Sequence, residues 1–152
     1  MSDLSKIRQF TSQLHIAVAG VSRNPGKFGN NALRELKQKG YTLYPVSPFL
    51  EEFEGIKCYK NIASLTEEVT ALFISTKPDQ TKILLTDARA KGIRNIWMQQ
   101  GSADKETIAE TANSGNNIIT GECILMFAEP TQFFHRAHAF MKKVFGSYLV
   151  QK

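Results

Sequence analysis

Apolar and polar positions alternate along this chain in blocks that predict strands and helices in turn. Ile16 to Gly20 is an apolar run of strand length, and it passes into the turn Val21-Ser22-Arg23-Asn24-Pro25-Gly26-Lys27-Phe28-Gly29. A helix is expected from about Asn30 to Lys39, stopped by Gly40, with a second strand from Tyr41 to Val46 that ends at Ser47-Pro48. Thr70 to Ser75, Ile93 to Met98 and Ile118 to Thr120 read as three more strands. Their near-continuous apolar character suits strands covered on both faces. Helices are expected between them, from Asp79, as its cap, to about Ala90 with Gly92 as its stop, and from Asp104 to Ala112. Ser5 to Leu14 predicts a short lead-in helix through Ile7, Phe10 and Leu14, and His15 opens the first strand. Ser64-Leu65-Thr66-Glu67 has capping-box spacing and predicts a brief helical turn, while Phe49 to Ser64 is otherwise irregular, with a short extended strip at Ile56 to Tyr59.

Strands alternating with helices imply an α/β, Rossmann-like fold: a parallel five-stranded sheet with helices on both faces. Right-handed crossovers predict the order 3-2-1-4-5, with a ligand crevice where the winding reverses between strands one and four. The polar and glycine residues Ser22, Ser47, Ser75, Lys77, Gln99 and Gly101 fall at the strand ends that border such a crevice. The chain reads as one domain over residues 1–152. Its extension, 130–146, is expected to be an aromatic C-terminal helix with Phe133, Phe134, Phe140 and Phe145 on a broad stripe. That stripe is expected to pack on the sheet or on a second subunit.

Composition narrows the partners. The 152 residues hold 19 basic and 14 acidic side chains, a net charge of +5, which favours anionic ligands without choosing among them. No apolar run approaches the ~20 residues of a membrane span. With two cysteines and no secretory pattern at the N-terminus, the expected location is cytoplasmic. His135 and His138, three apart, would share a face of that expected helix, but no further ligand stands near them in sequence, so no metal site is assigned.

The first strand, its glycine-bearing turn and the following helix N-terminus predict a phosphate site made of backbone N–H groups and the helix dipole. Gly20, Gly26 and Gly29 do not have the dinucleotide spacing, Ser22 stands where its second glycine belongs, and no acid ends the second strand. These departures weigh against an NAD(P)-binding oxidoreductase-like protein, which remains an alternative. So does a nucleic-acid or partner-binding protein using the basic aromatic tail with Arg136, Lys142 and Lys143. The phosphate loop of ATPases is absent.

Four motifs, Gly20-Val21-Ser22-Arg23-Asn24-Pro25, Tyr44-Pro45-Val46-Ser47-Pro48, Trp97-Met98-Gln99-Gln100-Gly101 and Gly121-Glu122-Cys123, resemble the small stand-alone coenzyme A-binding proteins. That family is similar to the N-terminal domain of the succinyl-CoA synthetase alpha subunit. The resemblance covers about Ile16 to Met126. It implies binding of coenzyme A or an acyl-CoA, with the diphosphate on the loop from Gly20 to Gly29. The site would comprise Gly20, Val21, Ser22, Arg23, Asn24, Pro25, Lys27 and Gly29, with Gln99 and Gly101. Val46, Ser47 and Pro48 with Ser75, Lys77 and Pro78 would flank the adenosine and the pantetheine arm. By the resemblance, many relatives carry a lysine after the Ser-Pro, where this chain has Phe49, so the 3′-phosphate is left to Arg23, Lys27 or Lys77, or is held weakly. No catalytic residue is assigned: by the resemblance the synthetase histidine belongs to a separate second domain, for which these 152 residues are not expected to have room, and Cys123 is expected to be a small buried thiol. Gly20→Val is expected to remove ligand binding and spare the sheet.

Overall fold

The computed structural model describes residues 3–130; the expected tail helix, with His135, His138, Arg136, Lys142 and Lys143, lies outside the described residues. The chain opens with α1 (Leu4–Thr11), which buries Ile7 and Phe10 but leaves Leu14 beyond it exposed. It then alternates β1 (His15–Ala19), α2 (Phe28–Gln38), β2 (Thr42–Val46), β5 (Ala71–Ile74), α3 (Pro78–Lys91), β6 (Asn95–Met98), α4 (Lys105–Ala112), β7 (Asn117–Thr120) and the short α5 (Ile124–Phe127). Between β2 and β5 lie a small hairpin, β3 (Glu52–Phe53) with β4 (Ile56–Lys57), and a 3-10 turn at Ile62–Ser64. That turn is capped by Asn61, whose side chain accepts from the Ser64 N–H, so it begins earlier than the capping-box spacing at Ser64 suggested.

Five strands form one all-parallel sheet in the order β2-β1-β5-β6-β7. Counting only these five, the order is 2-1-3-4-5 and not the expected 3-2-1-4-5. The cause is visible at β2. Its outer edge is taken by the segment before the 3-10 turn, where Tyr59 bridges Val46 in parallel: Ser47 N donates to Tyr59 O and Tyr59 N to Pro45 O, both at 2.8 Å. Pro45 has no N–H to give a further neighbour, which confines its strand to an edge. The third main strand, β5, is wholly apolar and buried, and it pairs with β1 instead. The winding therefore reverses between β1 and β5, and the crevice belongs there.

Alternation along the strands divides the core into two layers. Ile16, Val18, Phe73, Trp97 and Ile119 face α1, α2 and α5, where Phe10, Leu33, Leu36 and Ile124 are buried. Ala17, Ala19, Leu72, Ile74, Ile96 and Met98 face Ile62, Leu65 and Ala88 of the 3-10 turn, its following loop and α3. Both faces of the sheet are thus closed, and its C-terminal edge is left open.

Candidate functional site

Close backbone approach builds the floor of the crevice. Gly20 has φ +117°, and a Cβ there would lie 2.2 Å from the Ser75 carbonyl oxygen just past β5. A Cβ on Gly29, in the first turn of α2, would lie 2.3 Å from the Gly20 carbonyl oxygen. The two glycines let β1, β5 and α2 meet without side chains between them. Gly20→Val would therefore strike the sheet itself, which corrects the expectation that the sheet is spared.

The loop above β1 is tied from within by a residue the sequence motifs did not single out. Asn30 is wholly buried; its Oδ1 accepts from Ser22 N, and its Nδ2 donates to the Ser22 and Asn24 carbonyls, all at 2.9 Å. Ser22 Oγ accepts from Asn24 N, Asn24 Oδ1 accepts from Gly26 N, and Lys27 N donates to Asn24 O. Several loop amides expected to face a phosphate are thus satisfied by the loop itself. The Ser22 hydroxyl proton and the first turn of α2 are left to meet a ligand.

Two helices start at the crevice, and both start on lysine. Lys27 is the N-cap of α2 and Lys77 that of α3, neither with a side-chain cap hydrogen bond. Ser, Thr, Asp or Asn is the stabilising choice at this position, and a cation beside the positive end of the helix dipole is unfavourable. Pro78 occupies the first helical position of α3, and Asp79, expected as the cap, sits one residue inside it.

A cleft of about 660 Å³ opens over β1, β2 and β5, within the range of ~300–1,000 Å³ usual for small-molecule sites. Of the residues expected at the site, Gly20, Val21, Ser22, Arg23, Lys27, Val46, Ser47, Pro48, Ser75 and Lys77 line it. A second cleft of about 270 Å³ lies across the β5 end and is lined by Gly29, Pro78 and Gly101, with Ser102; it shares Lys27, Ser75, Thr76 and Lys77 with the first. Asn24 and Pro25 are exposed and line neither cleft. Gln99 is buried, and its Oε1 accepts from Ile124 N at 3.2 Å. With Trp97 Nε1 donating to Glu122 O and Gln100 Nε2 to Gly121 O, it fastens the end of β6 to the turn after β7. Two of the four motifs thus clasp each other.

The large cleft is charged in one sense. Arg23, Lys27, Lys60 and Lys77 line it against the single carboxylate of Asp87. Lys60 was not expected; it arrives because Tyr59 docks on β2. Ser47, at the end of β2 where dinucleotide sites carry an acid, is buried, and its Oγ accepts from Phe49 N and Leu50 N at 3.3 Å. Apolar surface comes from Val21, Val46, Leu50 and Ile62, and from Phe49 and Ile83 at the rim. Neither cysteine lines a cleft: Cys58 is buried, with its thiol pushed up by burial and by the charge of Glu52, and Cys123 is half-buried at the cap of α5. His15 lies at the opposite edge of the sheet, its Nδ1 2.9 Å from the Tyr44 hydroxyl. Among the described residues no cluster of metal-ligating side chains occurs, and no helix is long and apolar enough to cross a membrane.

The profile of the CoA binding domain matches residues 15–129, three quarters of the chain. The chain belongs to that family. Among its relatives is the alpha subunit of an ADP-forming acetate–CoA ligase II from Pyrococcus furiosus, 28% identical over 120 residues, 72% of this chain. The chain spans only about a quarter of that subunit (26%). An uncharacterised Bacillus subtilis protein, YneT, is 25% identical over 114 residues, covering 72% of this chain and 81% of its own length. Among solved structures, a conserved hypothetical protein from Pyrococcus furiosus superposes with TM-score 0.70 at 31% identity, covering 74% of this chain and 97% of that one. A dinucleotide-forming acetyl-coenzyme A synthetase from Ca. Korarchaeum cryptofilum matches with TM-score 0.57 at 27% identity, covering 72% of this chain and 23% of the synthetase. This CoA-binding family member thus has the parallel α/β fold of its relatives, and the family match runs from the start of β1 to Glu129, past α5.

Proposed function

We propose that this protein binds coenzyme A, free or acylated, in the large cleft at the β1/β5 crossing. The observation that carries the reading is the pair of lysine-started helices, α2 and α3, meeting over that cleft with Arg23 and Lys60 beside them. Two helix N-termini and four cations against one acid suit a ligand with several phosphates. Coenzyme A has three: a diphosphate, for the Ser22 hydroxyl and the first turn of α2, and a 3′-phosphate. Val46-Ser47-Pro48 and Lys60 would border the adenosine end, and Ser75 to Pro78 with Gly101 the pantetheine arm. An NAD site would want a carboxylate at the end of β2, where Ser47 stands.

In this reading the protein holds its ligand without a reaction of its own. Titration calorimetry with CoA, acetyl-CoA, NAD and ATP tests binding: heat with the two CoA ligands and none with NAD is expected. No CoA binding at millimolar ligand ends the proposal. Release of free thiol from acetyl-CoA above the buffer rate would show that a reaction has to be added.

A further inference from the structure

Two of the six large apolar side chains exposed among the described residues, Phe49 and Ile83, line the large cleft. Phe49 is 74% exposed and is the one aromatic among the six; Ile83, on α3, is 64% exposed. Leaving both in water is unfavourable by itself, and here they stand in the wall of a cavity whose other conspicuous groups are cations. Phe49 also needs little ordering. The Ser47 hydroxyl accepts from the Phe49 and Leu50 amides, so the turn that presents the ring is already formed.

We propose that Phe49 and Ile83 form the apolar clamp for the adenine base of the bound nucleotide, with Phe49 stacking on its face. This rests on the coenzyme A reading and adds the residue that makes the site require the adenosine half. Three observations converge. Phe49 follows the end of β2, the place where nucleotide-binding sheets of this kind meet the nucleoside. Lys60 and Arg23 line the same cleft and are suited to a phosphate on the adjoining ribose. A flat, weakly polar ring is the portion of the ligand that gains most from an exposed phenyl face, since every base has a π-surface to stack.

The experiment compares three ligands, CoA, adenosine 3′,5′-bisphosphate and 4′-phosphopantetheine, on the full chain and on the variants Phe49→Ala, Phe49→Trp and Ile83→Ser. Phe49→Ala is expected to weaken CoA and the bisphosphate alike by about tenfold, the scale of one lost base stack, and to leave phosphopantetheine unchanged. Ile83→Ser should follow the same pattern with a smaller loss. Phe49→Trp should bind both adenosine ligands at least as well as Phe49. Its new indole, set against the fully buried Trp97, should be quenched by them and not by phosphopantetheine. Equal affinity of Phe49→Ala and the parent for all three ligands would overturn the proposal. So would a loss confined to CoA and phosphopantetheine, because Phe49 would then meet the arm. Failure of the parent chain to bind CoA would instead remove the underlying reading.

Discussion

At the scale of single residues, Asn30 carries the loop that shapes the cleft. Its three hydrogen bonds to Ser22 and Asn24 are made from a side chain with no exposed surface. Asn30→Ala leaves those backbone groups without their partner and is expected to cost about 2–3 kcal/mol, read from urea unfolding, with a parallel loss of CoA affinity. Unchanged stability would mean that the loop finds other partners. Tyr41 marks the far side of the fold. Its hydroxyl lies 2.9 Å from both the Thr11 and Glu129 carbonyls, and burial, aided by the Glu129 charge, pushes its pKa up to about 12 from 10.0. The folded protein holds this proton more tightly than the unfolded chain does. The resulting stability is fully present below about pH 10 and disappears as pH climbs through about 12. Melting temperatures of Tyr41→Phe should fall less steeply over that interval than those of the parent.

At the scale of elements, the helix starts set stability against binding. Serine in place of Lys27 or Lys77 offers a capping hydroxyl to α2 or α3 and removes a cation from the positive end of the dipole. Each substitution is expected to stabilise by about 0.5–1 kcal/mol and to weaken CoA binding severalfold. A variant that melts no higher, or that binds as well, would deny the two lysines this role. The strand-loop-helix unit was legible because Ile16 to Ala19, the following turn and the α2 stripe obey local periodicities. Its exact start was not: α2 begins at Phe28 and not Asn30, since nothing local announces a lysine cap. Gly20 and Gly29 stand out in the sequence, but the reason they are glycines is the close backbone approach of β1, α2 and the β5 end, where an added Cβ would lie only 2.2–2.3 Å from a carbonyl oxygen.

For the whole molecule, the positive balance of the cleft makes ionic strength a direct probe. Affinity for CoA should fall steadily as salt rises from about 0.01 to 1 M, where the screening length shrinks from about 30 to 3 Å. A salt-independent affinity would show that Arg23, Lys27, Lys60 and Lys77 do not meet the phosphates. The architecture also shows where sequence reading stops. Parallel α/β class, five sheet strands and a crevice at their C-terminal ends follow from runs of apolar residues and the turns between them, which are local properties. Strand order is not local: docking of Tyr59 on β2 sends β5 to the other side of β1 and brings Lys60 into the cleft. Pro45 was the one letter that announced an edge strand. Likewise Gln99, expected at the site, joins Trp97 in a clasp to the turn after β7, because hydrogen-bond partners are chosen by tertiary neighbours. The sequence by itself determined the elements, the cationic character and the glycines; only the tertiary structure decided which strands adjoin and which side chains share one cavity, because backbone periodicity acts within a few residues and packing acts across the whole chain.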